Sequence, residues 1–229
     1  MKRKVEPPKS RRDKALANRR NMLRSAYKLF CAQGYVGTTM SQIAEGAEVA
    51  VQTLYFTFNT KHAILKETIG ASIVGFDAWD PRLEALLASE PRKATIELHS
   101  WFPAFEAAKT ATAALTVFVD ASLVILESAG PLIVAMSAAI GSDPDVEITA
   151  RESEQRRVED YAYAIDSLAK RGTLRKNLSA EKATDILLTI VSAETYLFLT
   201  GRRGWSRDDC RAWFLETLQH QLLAKSPSR

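Results

Sequence analysis

Residues 39 to 58 read Thr-Met-Ser-Gln-Ile-Ala-Glu-Gly-Ala-Glu-Val-Ala-Val-Gln-Thr-Leu-Tyr-Phe-Thr-Phe, and this stretch decides the fold. Thr39-Met40-Ser41-Gln42 has the Thr-x-x-Gln form of a capping box, in which each side chain satisfies a backbone N–H that a first helical turn leaves orphaned. It predicts a short helix running to about Gly46, and a second short helix is expected over about residues 50 to 57. A helix-turn-helix needs a small residue where its helices meet, a turn, and apolar residues that fix the crossing angle. Ala44, the Ala47-Glu48-Val49 turn, and Val49 with Leu54 fit that order.

Working outward, Met22, Leu23, Ala26, Tyr27, Leu29 and Phe30 recur at helical spacing and predict a first helix from about 14 to 32, which Gly34 ends. On the other side, Asn59-Thr60-Lys61 offers a cap for a fourth helix that begins near His62 and carries Ile64, Leu65 and Ile69. Three short helices and a longer one make a compact module.

The rest of the chain also reads as helical, with no sustained period-2 alternation bounded by hairpin turns. Asp80-Pro81 and Asp143-Pro144 each look like a cap followed by proline in the first turn. Gly130-Pro131 is expected to stop one helix before the next, and Pro103 to bend or divide another. Residues 146 to 171, with Val158, Tyr161, Ile165 and Leu168 on one face, predict a long amphipathic helix. Ser179 and Ser206 can cap two final helices. The fold class expected is all-α: an N-terminal three-helix helix-turn-helix domain, then a larger helical domain.

With 229 residues, 46% of them hydrophobic, the chain can bury a substantial core. Its two cysteines, Cys31 and Cys210, lie far apart, and Cys31 sits in an apolar run, as expected of thiols in a reducing, cytoplasmic compartment. The most apolar stretch, Ala111 to Ile140, is interrupted by Asp120, Glu127 and Gly130-Pro131, so no membrane span is expected. The net charge of +4 hides an asymmetry: residues 1 to 24 hold ten Lys or Arg against Glu6 and Asp13, whereas the remainder is mildly acidic. A basic end on an acidic body points to a polyanion touched at one end.

Enzyme signatures are missing from the sequence. It has no Gly-rich phosphate loop and no Gly-x-Ser-x-Gly, and His62, His99 and His220 are isolated. The acidic run Asp143, Asp145, Glu147 lacks the central glycine and distal glutamate of a calcium loop and suits a helix N-terminus. Neither catalysis, metal nor cofactor is expected.

The segment from Tyr27 to Leu65 resembles the tetracycline-repressor family of transcriptional regulators. The likeness rests on Leu29-Phe30, Gly34-Tyr35, Thr38-Thr39, Ile43-Ala44, Val49, Thr53-Leu54-Tyr55, Phe58, Lys61 and Ile64-Leu65. Glu194-Thr195-Tyr196 through Gly201-Arg202-Arg203-Gly204-Trp205-Ser206 resembles a segment found in many members, while the middle of the chain is not distinctive. Two positions depart from the pattern: Glu48 stands where the turn usually has glycine, and Ala50 where serine often caps the recognition helix.

The resemblance implies a repressor that binds a palindromic double-stranded operator as a homodimer and is released by a small apolar or aromatic effector. It implies base reading by Ser41, Val51 and Gln52, and phosphate binding by Thr39, Thr53, Tyr55, Thr57 and Lys61. Lys61 and Gln52 are assigned to DNA because packing needs neither, whereas Leu54 and Phe58 are assigned to the core. Residues 1–13 are expected to form a basic arm, with Arg11, Arg12 and Lys14 reaching DNA; 14–61 the DNA-binding domain; and 62–229 the effector-binding and dimerisation domain. By the same resemblance Trp101, Phe102, Phe105, Phe118, Tyr161 and Tyr196 would line the effector pocket, and Ile186, Ile190, Phe214, Leu218 and Leu222 would meet a second copy or fill the chain's own core. The fourth helix, through Ile64 and Leu65, would couple the two domains. Readings left open by the sequence are an orphan regulator or activator without a ligand, and a non-specific architectural DNA binder.

Overall fold

The computed structural model describes residues 10–83, Ser89, residues 101–172 and residues 174–224. Among these residues the secondary structure is helical, with no strand beyond a single antiparallel bridge between Leu174 and Leu223. The chain divides into two compact units, Met1–Ala85 and Leu86–Arg229. The first therefore reaches past the division expected at residue 61.

In the first unit α1 spans Arg11–Gly37, α2 Met40–Gly46, α3 Val51–Phe58 and α4 Lys61–Val74. Helix α1 starts three residues earlier than expected, because Ser10 and Asp13 form a capping box: the Asp13 N–H donates to Ser10 Oγ at 3.1 Å and the Ser10 N–H to Asp13 Oδ2 at 3.0 Å. Arg11, Arg12 and Lys14 consequently stand on the first turns of a helix and not on a trailing arm; residues 1–9 of that arm lie outside the described residues. Gly34 breaks α1 where expected, with φ 76° and ψ 168°, and the chain resumes a short helical stretch to Gly37. Leu23, Ala26 and Phe30 of α1, Ile43 and Ala44 of α2, Leu54 of α3, and Ile64 and Leu65 of α4 are all fully buried. Helix α4 packs on α1, which is why the compact unit includes it and why Ile64 and Leu65 belong to the core of the first unit itself.

In the second unit the described helices are α5 (Phe102–Ala107), α6 (Ala111–Ser137), α7 (Pro144–Arg171), α8 (Ala180–Ile190), α9 (Ala193–Leu197), a π-helical turn over Phe198–Arg202, and α10 (Arg207–Leu222). Asp143, Ser179 and Ser206 cap α7, α8 and α10 as expected, accepting from the N–H groups of Asp145, Lys182 and Asp209.

Pro103 stands in the first turn of α5, where its missing N–H costs nothing, so it opens a helix and does not bend one; the other expectation, that it divides a longer stretch, falls on residues outside those described. The stop expected at Gly130-Pro131 does not hold. Pro131 lies inside α6, which continues six residues beyond it. An interior proline costs about 3 kcal/mol. Continuing the helix buries Leu132 and Met136, each worth roughly 1.5–3 kcal/mol, so packing outweighs the lost hydrogen bond.

Helix α6 is long and apolar enough to cross a membrane by length and hydropathy alone. It is nonetheless a core helix of its unit: Ala114, Leu115, Val119, Leu123, Ala129 and Leu132 are fully buried. Its acidic residues are engaged by α10, Asp120 with Arg211 at 2.5 Å and Glu127 with Arg207 at 3.1 Å.

Candidate nucleic-acid interface

The α2–α3 corner is built from backbone hydrogen bonds. Thr39 Oγ1 accepts from the Gln42 N–H at 3.2 Å while Gln42 Oε1 accepts from the Thr39 N–H at 2.9 Å, completing the capping box read in the sequence. Helix α2 ends in a Schellman arrangement, with the Val49 N–H donating to Ala44 O and the Glu48 N–H to Glu45 O, both at 3.0 Å. That closure requires the left-handed region, and Glu48 adopts it at φ 56° although it carries a Cβ.

Helix α1 holds α2 by side-chain bonds to α2 and its cap. Ser25 Oγ, buried, donates to Ile43 O at 2.9 Å, and Asn21 Nδ2 donates to Ala47 O at 2.9 Å. Gly46 is required at this crossing, because a Cβ there would lie 2.6 Å from Ser25 Oγ.

Helix α3 spends two residues on the core, Leu54 and Phe58, and turns the rest outward. Gln52, Thr53 and Tyr55 are exposed and Val51 is half-buried; Ser41 and Thr39 are exposed on the neighbouring α2 end. The structure therefore brings Ser41, Val51, Gln52, Thr53 and Tyr55 into two adjoining short helices of one module. Thr57 is half-buried and its hydroxyl donates to Thr53 O at 2.7 Å, so the proton is used within α3 and the oxygen keeps its capacity to accept. A groove of about 460 Å³ runs between the start of α1, α3 and the segment after α4, and Arg12, Arg19, Thr53, Thr57 and Arg82 line it.

Two findings differ from the sequence reading. Lys61 is needed by the fold: its ammonium donates to Tyr35 O and Thr38 O, both at 2.9 Å, and lies 4.2 Å from the Tyr35 ring centroid. Phe56, which as an aromatic beside Phe58 would be read as core and is not assigned to DNA by the sequence, is 91% exposed in the middle of α3. Its signal was available: with Leu54 and Phe58 facing inward, the helical period puts residue 56 on the opposite face.

In the second unit Trp101, Phe102, Phe105, Phe118 and Tyr161 form one connected aromatic cluster with centroid separations from 5.1 to 6.4 Å. Tyr163, which the sequence reading missed, joins it by stacking on Phe102 at 6.0 Å. The guanidiniums of Arg171 and Arg157 sit over Phe105 and Tyr161 at 5.6 and 6.0 Å. Tyr161 donates to Val191 O at 2.9 Å, and burial pushes its hydroxyl pKa up to about 12. Tyr196 is held by a different set of partners, donating to Glu127 Oε1 at 3.1 Å beside Arg207.

Of the residues expected at a self-contact, Phe214, Leu218 and Leu222 are 0% exposed and fill the core of their own unit. They are thus removed from any surface. Ile186 and Ile190, half-buried on α8, keep part of their surface exposed.

Residues 22–68 match the family model described as bacterial regulatory proteins, tetR family. None of the curated proteins compared with the chain matches it in sequence. Solved structures with the same fold include a putative transcriptional regulator from Saccharomonospora viridis in complex with choline, 20% identical, covering 91% of this chain and 99% of its own, with a TM-score of 0.65. A putative TetR-family regulator from Mesorhizobium loti is 17% identical over 94% of this chain and 100% of its own, with a TM-score of 0.63. The regulator FadR from Bacillus subtilis in complex with stearoyl-CoA is 15% identical over 86% of this chain and 96% of its own, also with a TM-score of 0.63.

Proposed function

We propose that this chain, a DNA-binding transcriptional regulator of the tetR family by its residues 22–68, acts as a ligand-released repressor. In this reading a cytoplasmic homodimer sets two copies of α3 into successive major grooves of a palindromic operator, about 34 Å apart. The observation that carries the reading is the division of α3, which anchors through Leu54 and Phe58 and offers Gln52, Thr53, Tyr55 and Phe56 to a partner.

The chemistry of the outward residues suits DNA. Gln52 can pair with adenine through its amide, Val51 can touch a thymine methyl, and Ser41 accepts either donors or acceptors. Thr39, Thr53, Tyr55 and Thr57 supply hydroxyls for phosphates, and Lys61, while bonded to Tyr35 O and Thr38 O, adds its positive charge beside them. Arg11, Arg12 and Lys14 on the first turns of α1 add positive charge for the strands.

The effector would occupy the second unit at the aromatic cluster of Trp101, Phe102, Phe105, Phe118 and Tyr161. Support comes from the ligands of the two regulators of like fold, choline and stearoyl-CoA. An aromatic face suits a quaternary ammonium and an apolar wall suits an acyl chain. A ligand releases DNA only if it binds the non-binding arrangement more tightly.

The test is selection of bound duplexes from a random pool by the full chain at low ionic strength, followed by footprinting. One protected palindrome is the expected result, and uniform coverage without an enriched motif would remove the regulator reading. Screening choline, fatty acyl thioesters and aromatic metabolites for release of that duplex then tests the effector.

A further inference from the structure

Behind α3 lies a polar group that faces no surface. Glu67 of α4 is 3% exposed, and its carboxylate is surrounded by donors from elsewhere in the unit. Arg19 of α1 grips it with both arms of the guanidinium, Nε to Oε1 at 2.6 Å and Nη2 to Oε2 at 2.5 Å. Trp79, on the segment after α4, donates its indole N–H to Oε1 at 3.0 Å.

The same guanidinium reaches the end of α3. Its Nη1 donates to Thr57 O at 3.4 Å, and its carbon lies 4.5 Å over the Phe58 ring. Trp79 is itself fixed: its carbonyl accepts from Arg20 Nε at 2.8 Å, and its ring fills the space above Gly70, where a Cβ would come within 2.5 Å.

A buried carboxylate without partners is costly, so the three groups are constrained to stay together. Guanidinium and carboxylate are both planar, and a two-point contact between them fixes orientation as well as distance. Arg19 is thereby held at one angle, and its remaining arm and its face hold the last turn of α3.

We propose that Arg19, Glu67 and Trp79 form a positioning triad for DNA reading: Glu67 and Trp79 hold Arg19, and Arg19 sets the pitch of α3 on α1 and α4 without itself touching DNA. This rests on the reading of α3 as the recognition helix. Base-edge hydrogen bonds depend steeply on angle, so a small tilt of α3 weakens the operator more than it weakens unspecific duplex. Trp79 also makes the segment that leads onward from α4 part of the assembly that orients α3.

The experiment compares the full wild-type chain with Trp79→Phe, Glu67→Gln and Arg19→Lys on the duplex the wild type selects and on a scrambled duplex, over a series of salt concentrations, with a thermal melt of each. Trp79→Phe removes the indole donor together with the outer ring atoms that lie over Gly70, so its affinity is read well below its own melting midpoint, and it stays informative if Glu67→Gln does not fold. The expected result is a loss of operator affinity of about tenfold for Glu67→Gln and several-fold for Trp79→Phe, with a narrowed gap to the scrambled duplex. Arg19→Lys should fail to rescue, because an ammonium cannot span two carboxylate oxygens and a carbonyl with a fixed fork.

The slope of log affinity against log salt should not change, since no phosphate contact is lost. Folded variants that read the operator as the wild type does would overturn the triad, as would a slope reduced by about one counterion in Arg19→Lys, which would make Arg19 a phosphate contact. A wild type that enriches no sequence would overturn the reading of α3 beneath it, a distinguishable outcome.

Discussion

The Lys61 ammonium stands 4.2 Å from the centroid of the Tyr35 ring and donates to the carbonyl oxygen of the same residue at 2.9 Å. With its second bond, to Thr38 O, it ties the first turn of α4 to the junction between α1 and α2. A residue at this place serves the fold before it serves a ligand. Lys61→Met should therefore cost about 1–2 kcal/mol of stability, from two charge-assisted hydrogen bonds and a cation–π contact offset by retained aliphatic packing. A melting curve identical to the wild type would return Lys61 to the surface role that the sequence reading assigned.

Gln52 and Phe56 are neighbours on the outward side of α3 with different chemistry. Gln52→Ala should relax preference at one base pair, losing roughly 1–3 kcal/mol of discrimination. Phe56 carries no hydrogen-bonding group, so Phe56→Ala should weaken operator and scrambled duplex alike. Because Phe56 is 91% exposed, its removal should shift stability by less than about 0.5 kcal/mol. Competition binding on a panel of single-base operator variants separates the two, and an unchanged affinity for Phe56→Ala would take it out of the interface.

Glu48 holds φ 56° in the Schellman turn between α2 and α3. A Cβ in that region costs about 1–2 kcal/mol, and a glycine gives back roughly half of this through the freedom it adds to the unfolded chain. Glu48→Gly should thus raise stability by about 0.5–1 kcal/mol, read as a higher melting midpoint of the first unit. A lower midpoint would mean that the Glu48 side chain makes a contribution larger than the strain.

The limits of what the sequence disclosed follow from the range of the interactions. The Thr39–Gln42 capping box and the Gly34 break are encoded within a few residues and were legible in the sequence, and the special position of Glu48 followed from the family resemblance; the Ser10–Asp13 box, equally local, was not read. Partners distant in the chain were not: nothing near Lys61 announces that Tyr35 and Thr38 receive it, and nothing near Glu67 announces Arg19 and Trp79. The same holds for Pro131, whose local tendency to end a helix is outweighed by burial of residues on both sides of it. At the candidate interface, residue types on α2 and α3 were readable from position; the exposure of Phe56 needed the full inward set to be placed first.

Gly70 sets two effects against each other. An alanine in the interior of α4 gains about 1 kcal/mol of helix propensity. Its Cβ, however, would lie 2.5 Å from the Trp79 ring, and that ring is 1% exposed and fixed at its N–H and carbonyl. Overpacking of this kind costs about 1–3 kcal/mol, so Gly70→Ala should be destabilising overall. Urea unfolding measures the balance, and a stabilised variant would show that Trp79 can move aside freely.

The self-contact of the chain turns on which row of α8 and α10 is left over once the core is filled. Phe214, Leu218 and Leu222 are 0% exposed, and Ala183, Leu187 and Val191 face the same interior from α8 and its C-terminal end. Phe214→Ala should accordingly cost about 3–5 kcal/mol of stability even in dilute protein, as a cavity does. Ile186 and Ile190 lie one turn apart on α8 and keep part of their surface outside that core. Of the residues expected at the self-contact, they are the two still able to meet a second copy in the proposed dimer, where a buried unpaired carboxylate is strongly disfavoured. Ile186→Asp with Ile190→Asp should leave helical content intact, shift sedimentation to the monomer and abolish cooperative binding to a palindrome while half-site binding persists weakly. If the double variant still sediments as a dimer, the contact lies on another face, and the pairing of recognition helices must be built from different residues.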